Sequence, residues 1–185
     1  MSNDNFLGRL FKAYCKFSFY ENQVALIEGR NYILIYAFYE SLVYIKSSSK
    51  SASDIARKLT LLEKGVEQFI LCLKNKYDFL KDINTKCEDV FEVLKKEHII
   101  DKFNSISELF DEFVELYMYI SKFVDSHLNE NMLIEFNNFL SYFLNHIKND
   151  EYSVGLSHLY RGSLDGYKDI ILNNKIILLD RKSVV

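Results

Sequence analysis

A chain of 185 residues with 49% hydrophobic content can bury a substantial core, and its length falls in the usual range of one domain. With a formal net charge of −3, the chain lacks the excess of basic residues that favours binding to nucleic-acid backbones. Residues 1–5 lack the basic region and apolar core of a secretory signal peptide, so export is not expected.

The cysteine count indicates a reducing compartment. The three cysteines, Cys15, Cys72 and Cys87, are an odd number at unrelated spacings. This pattern predicts buried, reduced thiols in a cytoplasmic protein rather than a disulfide framework.

Apolar residues recur at three- and four-residue steps from Phe6 to Phe17, which predicts the first helix. The second helix is predicted from about Glu21 to Ile45, with Gly29 as a kink or a close-contact point inside it.

The run from Tyr32 to Ile45 is the most apolar stretch of the chain, and only Glu40 and Ser41 in it lack a substantial apolar surface. The run is too long for an ordinary strand and shorter than the about 20 apolar residues that a membrane span needs. A helix covered by other helices fits best. The sequence therefore predicts an all-α, single-domain bundle of six or seven helices around this buried central helix, with residues 1–185 as the domain.

Residues 47–51 are rich in serine and predict a loop, after which Ser51 or Ser53 is expected to cap the third helix. The apolar positions predict that this helix continues through Leu80, with a bend at Gly65.

Residues 51–73 also look like a helix-turn-helix motif, because several apolar residues fall where that motif packs its two helices. These residues are Ile55, Ala56, Leu59, Leu61, Val66 and Phe69. The stretch departs from the motif at Thr60, where the turn usually has Gly, and Glu63 and Glu67 are poorly suited to phosphates. An ordinary amphipathic helix is favoured, and a DNA-binding regulator is the first alternative function.

Two later stretches have the spacing of a capping box, in which a Ser or Thr is followed three residues later by Glu. They are Thr85 with Glu88 and Ser105 with Glu108, and each predicts the start of a helix. The second of these helices has the clearest amphipathic pattern.

A further helix is predicted after Asn129, and the last one is predicted from Asp150 or Glu151 to Asn173. The apolar positions of the last helix are Tyr152, Leu156, Leu159, Tyr160, Leu164, Tyr167 and Ile171. The apolar tail, residues 173–185, is expected to dock on the domain or to extend from it.

No stretch is a strong catalytic, metal or nucleotide motif. Glu40 is interpreted as a carboxylate that satisfies a neighbouring Lys, Arg or Tyr; the alternative is a buried acid with a raised pKa. His127 precedes Glu130 by three positions and His146 precedes Asp150 by four, but surface histidines are favoured over a metal site. We expect no catalytic residue, no metal and no cofactor, and an unrecognised helical enzyme is the second alternative function.

Two surface patterns remain. Glu108, Asp111, Glu112 and Glu115 lie at helical spacing and form what we call the acidic face. A solvated surface is its simplest interpretation, and a binding surface for a basic protein is the functional one.

Gly155, Gly162 and Gly166 lie at steps of seven and four, so they share one helix face. Each costs near 1 kcal/mol relative to Ala in a helix. Close packing against a neighbouring helix is the favoured compensation, and contact with a ligand or partner is the alternative.

The leading hypothesis for function is a non-catalytic protein-binding module. Its most specific form is an immunity-type inhibitor, in the cytoplasm, that neutralises a partner toxin by covering a basic surface with the acidic face. The expected partner is a protein, such as a basic toxin domain; no membrane partner is expected, and nucleic acid is unfavoured.

Overall fold

The computed structural model describes residues 3–47, 49–83, 99–123, 129–146 and 152–182. Most of these residues are helical and none of them lies in a β-strand, which confirms the predicted all-α class. Seven α-helices lie within these ranges: α1 (Asn3–Glu28), α2 (Tyr32–Lys46), α3 (Ala52–Lys76), α4 (Ile99–Ser105), α5 (Ser107–Phe123), α6 (Glu130–His146) and α7 (Leu156–Lys182). The predicted capping box at Thr85, together with Cys87 and His127, lies outside the described residues.

The chain divides into two compact units, Met1–Asn104 and Ser105–Val185, which we call the N-terminal and C-terminal units. In the N-terminal unit, α1, α2 and α3 pack against one another. In the C-terminal unit, α7 packs against both α5 and α6. The single-domain organisation of residues 1–185 stays a prediction. None of the helices in the described ranges is both long and apolar enough to cross a membrane.

The boundary between the first two helices differs from the prediction. The second helix does not start near Glu21, because α1 continues through that residue and the chain turns at Gly29 instead. Gly29 has φ of +77°, a left-handed conformation that glycine adopts without steric cost, so it ends α1 rather than kinking a longer helix. Asn31 then caps α2, since its side-chain oxygen accepts a hydrogen bond of 3.1 Å from the Leu34 amide.

Buried Glu21 holds this turn against α1. One carboxylate oxygen lies 2.5 Å from Nη1 of Arg30, and the other accepts a 3.2 Å hydrogen bond from the Asn31 amide. A carboxylate that is only 1% exposed needs such partners, because an unpaired buried charge is costly. Glu21 is therefore a structural residue of the N-terminal unit.

Helix α2 begins where the central helix was predicted and buries its inward positions in the N-terminal unit. The Phe38 ring lies 5.3 Å from the rings of both Tyr14 and Phe17, measured between centroids, and Phe17 lies 5.6 Å from Phe69. These aromatic contacts join α1, α2 and α3. The burial is one-sided, however, since Ile33 is 74% exposed.

Helix α3 is continuous through Gly65 and is capped by Ser51, whose Oγ accepts a 3.2 Å hydrogen bond from the Asp54 amide. The predicted cap is thus confirmed. Residues 51–73 form the cap and one helix with no turn near Thr60, so they do not have the two-helix geometry of a helix-turn-helix motif.

Helix α3 ends at Lys76, earlier than predicted, because the chain tightens there into a short 3₁₀ helix, Asp78–Leu80. Leu80 still reaches the core, where it clusters with Tyr20, Val24 and Leu73. The Tyr20 hydroxyl donates a 2.6 Å hydrogen bond to the Ile83 carbonyl, which fixes the end of this segment.

Helix α5 begins at Ser107, two residues after the predicted cap at Ser105. Its inward face packs on α6, as shown by Phe110, whose ring centroid lies 6.3 Å from that of Phe136 and 6.5 Å from that of Phe139. The buried residues of α5 are Phe110, Phe113, Leu116, Tyr117 and Ile120.

The glycine positions confirm the close-packing interpretation. A Cβ atom added at Gly162 would lie 2.6 Å from Cε2 of Phe113, and one added at Gly166 would lie 2.6 Å from Cδ1 of Ile120. At Gly155 the nearest atom would be the Phe139 carbonyl oxygen, at 3.3 Å. The space beside the three glycines is therefore filled by residues of α5 and α6 of the same unit.

Helix α7 starts at Leu156, after a 3₁₀ helix, Tyr152–Gly155, rather than at Asp150 or Glu151. It does not end at Asn173 as predicted, but continues to Lys182. Asparagine lowers helix propensity only modestly, so Asn173 and Asn174 need not stop a helix. The docking of residues 173–185 stays a prediction.

Candidate functional site

The acidic face lies on the outward side of α5. All four of its side chains are exposed, while Phe110, Phe113 and Ile120 on the opposite side are almost fully buried. The 3.6-residue period of the helix places the four acids within an arc of about 100° over two turns, on a single surface. The structure therefore brings together the four residues that the sequence grouped.

The electrostatics of this surface are unfavourable to the helix that carries it. Glu108 with Glu112, and Asp111 with Glu115, are like-charge pairs at i,i+4, each of which costs about 0.2–0.5 kcal/mol. Glu108 offsets part of this cost, because it lies in the first turn of α5 near the positive end of the helix dipole. Glu108, Glu112 and Glu115 form no ion pair with a described residue, and Asp111 accepts a long 3.5 Å contact from the Ser107 hydroxyl.

Glu40 has the structural role that the sequence analysis favoured. Its carboxylate lies 2.9 Å from Nζ of Lys58, so the ion pair joins α2 to α3. The Glu40 side chain is 42% exposed, so it is not the fully buried carboxylate of the alternative interpretation. Lys58 also lies 4.8 Å from the centre of the Tyr44 ring, in cation–π range.

The predicted burial of the cysteines is wrong for Cys72, which is exposed, and Cys15 is half-buried. Cys72 lies on α3 next to buried Leu73, and a step of one residue turns a helix by about 100°, which carries the thiol outward. Neither cysteine forms a disulfide among the described residues.

Sequence reasoning missed a histidine–carboxylate pair in the C-terminal unit. Nδ1 of His158 lies 2.6 Å from a carboxylate oxygen of Glu135, and His158 is only 8% exposed. The Tyr142 ring lies 4.9 Å from the His158 ring and 5.6 Å from the His146 ring. The pair fastens α7 to α6, and no local pattern could have revealed it, because its members are 23 residues apart in the chain.

A cleft of about 340 Å³ lies between α1 and α3 in the N-terminal unit. Arg9, Lys12 and Lys16 line one side, and Glu63 and Glu67 line the other. Arg9 and Glu63 form a bidentate pair, in which Nε and Nη2 of Arg9 donate hydrogen bonds of 2.9 and 2.7 Å to the two carboxylate oxygens. These hydrogen bonds raise the pKa of Arg9. Neither Glu40 nor a histidine is among the residues that line this cleft.

The described residues contain no cluster of three or more His, Cys, Asp or Glu side chains that could hold a metal ion. Of the two histidine pairs considered from the sequence, His127 and Asp150 lie outside the described residues.

In comparisons with known proteins, no family model, no curated protein and no solved structure matches the chain.

Proposed function

We propose that this chain is a non-catalytic protein-binding module whose acidic face binds a basic surface of a partner protein. The observation that supports the proposal is the grouping of four exposed carboxylates on one face of α5, where their like-charge pairs oppose helix stability. A surface of one sign speeds encounter with a partner of the opposite sign and orients it.

Within this class we propose an immunity-type inhibitor that neutralises a toxin in the cytoplasm by covering a basic surface. The support is the net charge of −3, the small size and the lack of a strong catalytic motif in the sequence. A basic toxin domain is the partner with the fitting charge. We propose neither a membrane nor a cofactor for this activity.

We do not propose nucleic acid as the partner. The helix-turn-helix interpretation needs a turn near Thr60, and α3 is continuous there. The acidic face would in addition repel a phosphate backbone.

The proposal is tested by removing the charge and keeping the shape of the acidic face, with the fourfold variant Glu108→Gln, Asp111→Asn, Glu112→Gln and Glu115→Gln. A partner is first captured by the wild-type protein from cells that produce it, and association rates are then measured at two ionic strengths. We expect association to slow by about tenfold or more at low salt and to lose its salt dependence.

A matched control neutralises four exposed acids outside α5, namely Glu67, Asp78, Asp82 and Glu130. It changes the net charge by the same amount, so an equal loss of rate in the control would contradict a specific role for the acidic face. An unchanged association rate in the fourfold variant of the acidic face would show that this face is only a solvated surface. Retention of DNA by the wild-type protein at physiological salt would favour the DNA-binding alternative.

A further inference from the structure

The outward side of α7 carries apolar residues at regular steps of four, three and four residues. Each is more than half exposed, at 58%, 59%, 56% and 56% in chain order. They are Tyr160, Leu164, Tyr167 and Ile171, and we call them the α7 stripe.

The α7 stripe is not the side of the helix that the C-terminal unit uses for its own core. Leu159 is fully buried, and Gly162 and Gly166 are in close contact with α5 and α6. On a helical wheel Gly162 and Gly166 lie on the side away from the stripe, and Leu159 lies about 100° from Tyr160. The helix therefore has two apolar sides, of which one is packed within the unit and the other faces outward.

The spacing of the α7 stripe is typical of a helix that packs against another helix. Steps of four and three residues keep apolar side chains on one narrow seam, which is the pattern that a helix presents to another helix. Scattered single apolar residues on a surface need no explanation, whereas a contiguous row marks an interaction site.

The charges beside the α7 stripe indicate what kind of helix would fit. Arg161 and Lys168 each follow a tyrosine of the stripe by one position, so both lie along the same edge, and both are exposed. Arg161 forms no ion pair with a described residue. Lys168 pairs at 2.6 Å with Asp165 on the same helix, a surface contact of little net strength that a partner can replace.

We propose that the α7 stripe docks an amphipathic helix of a partner protein, with acidic residues beside the apolar seam of that helix. Edge charges of opposite sign select the partner and its orientation in such helix pairs. This surface is distinct from the acidic face on α5, so the inference goes beyond the proposed function and does not depend on it.

A second copy of the same chain fits less well. In an antiparallel pair of α7 helices, the edge with Arg161 and Lys168 would meet the same basic edge of the other copy. In a parallel pair it would meet the edge with Ser163 and Ile170, which carries no charge. Neither arrangement supplies the acidic groups that the basic edge would attract.

An anionic membrane surface also fits less well. Membrane recognition by charge uses clusters of about four to eight basic residues. Between Tyr160 and Ile171 the edge of the stripe carries two basic residues, Arg161 and Lys168, and the same stretch of helix also carries Asp165 and Asp169. A protein helix with a few acidic residues matches this modest charge better.

The test uses the full chain and a synthetic amphipathic peptide of about three heptads, with Leu along its seam and Glu at both edges. A twin peptide has Lys in place of every Glu. Binding is measured by fluorescence anisotropy at physiological salt. We expect the acidic peptide to bind at least about tenfold more tightly than the basic twin.

Variants of the full chain locate the site. We expect Leu164→Ser to weaken binding of the acidic peptide by at least about tenfold, because it removes a seam residue. We expect Arg161→Glu combined with Lys168→Glu to reverse the preference between the two peptides. The matched control is Leu71→Ser on α3, because Leu71 has the same 59% exposure as Leu164, and it should leave binding unchanged. Circular dichroism confirms that each variant is folded.

The inference is overturned if neither peptide binds, if the two bind equally, or if Leu71→Ser weakens binding as much as Leu164→Ser. Self-association that Leu164→Ser abolishes would assign the surface to a second copy. Sedimentation with vesicles of anionic lipid, lost in the same variant, would assign it to a membrane. Because the fourfold amide variant of the acidic face should keep its peptide binding, failure of the proposed function is distinguishable from failure here.

Discussion

At Gly162 the missing side chain is what allows α7 to approach α5. A Cβ atom there would meet a ring atom of Phe113 at 2.6 Å and Cβ of Glu135 at 3.2 Å, and neither neighbour is the far end of a flexible chain. We expect Gly162→Ala to lower the free energy of unfolding by about 1–3 kcal/mol, less the gain of near 1 kcal/mol from better helix propensity. Thermal melts measure the net loss.

Gly65 is the matched control, since it is also a glycine inside a helix but has room for a methyl group. The nearest atom to an added Cβ is Cδ2 of Leu34, at 3.4 Å, an ordinary contact. Gly65→Ala should therefore raise the melting temperature, because only the propensity gain applies. Equal shifts in the two variants would show that close packing is not the reason for Gly162.

Glu28 provides a prediction about pH. Hydrogen bonds from Lys76 and then Tyr77 lower the pKa of the Glu28 carboxyl, and the same contact with Glu28 raises the pKa of Lys76. A lowered carboxyl pKa gives stability that is fully present above the unfolded-state value of about 4.3 and is lost as pH falls through the folded-state pKa. Glu28→Gln should thus melt below wild type at pH 7, and the difference should disappear in acid. A difference that persists unchanged to pH 2 would contradict this origin.

The apolar run in α2 shows how burial separates neighbouring residues of one element. Phe38 is fully buried between Tyr14 and Phe17, so Phe38→Asp should prevent folding. Tyr36 is only half-buried, and burial together with the nearby Glu40 carboxylate raises the pKa of its hydroxyl. Tyr36→Asp should therefore fold with a loss of about 1–3 kcal/mol. Circular dichroism and urea titration compare the two, and equal loss of structure would contradict the one-sided burial of α2.

Among the elements, those with strong local chemistry could be predicted from the sequence. Ser51 is a cap because a hydroxyl before an apolar repeat can satisfy the first amides of a helix, and the structure has that hydrogen bond. The acidic face could be grouped in the same way, since its spacing alone places the four residues on one side of a helix.

Other features could not be predicted, because they depend on contacts between distant residues. The sequence indicates an interruption at Gly29, but it does not determine whether the glycine kinks a helix or ends it with a positive φ. The contact between Glu135 and His158 exists only after α6 and α7 have packed. The apolar pattern of α7 predicts a helix but does not predict which apolar side is packed within the unit.

Cooperative unfolding of the two units is what distinguishes a single domain from two. Each unit buries aromatic residues of its own, such as Phe17 and Phe38 in the N-terminal unit and Phe136 and Phe139 in the C-terminal unit. A segment with its own core has the means to unfold by itself. The single-domain prediction states instead that loss of one core removes the other.

Reciprocal substitutions test this prediction by native-state hydrogen exchange. Phe38→Ala should cost about 3–5 kcal/mol, because it leaves a cavity among the aromatic rings of the N-terminal unit. If the chain is one cooperative domain, amides of α6 should lose as much protection as amides of α1, because both then exchange through the same global unfolding. Gly162→Ala in the C-terminal unit should likewise lower protection in α1. A loss confined to the unit that carries each substitution would divide the chain at residue 105 and contradict the single-domain prediction.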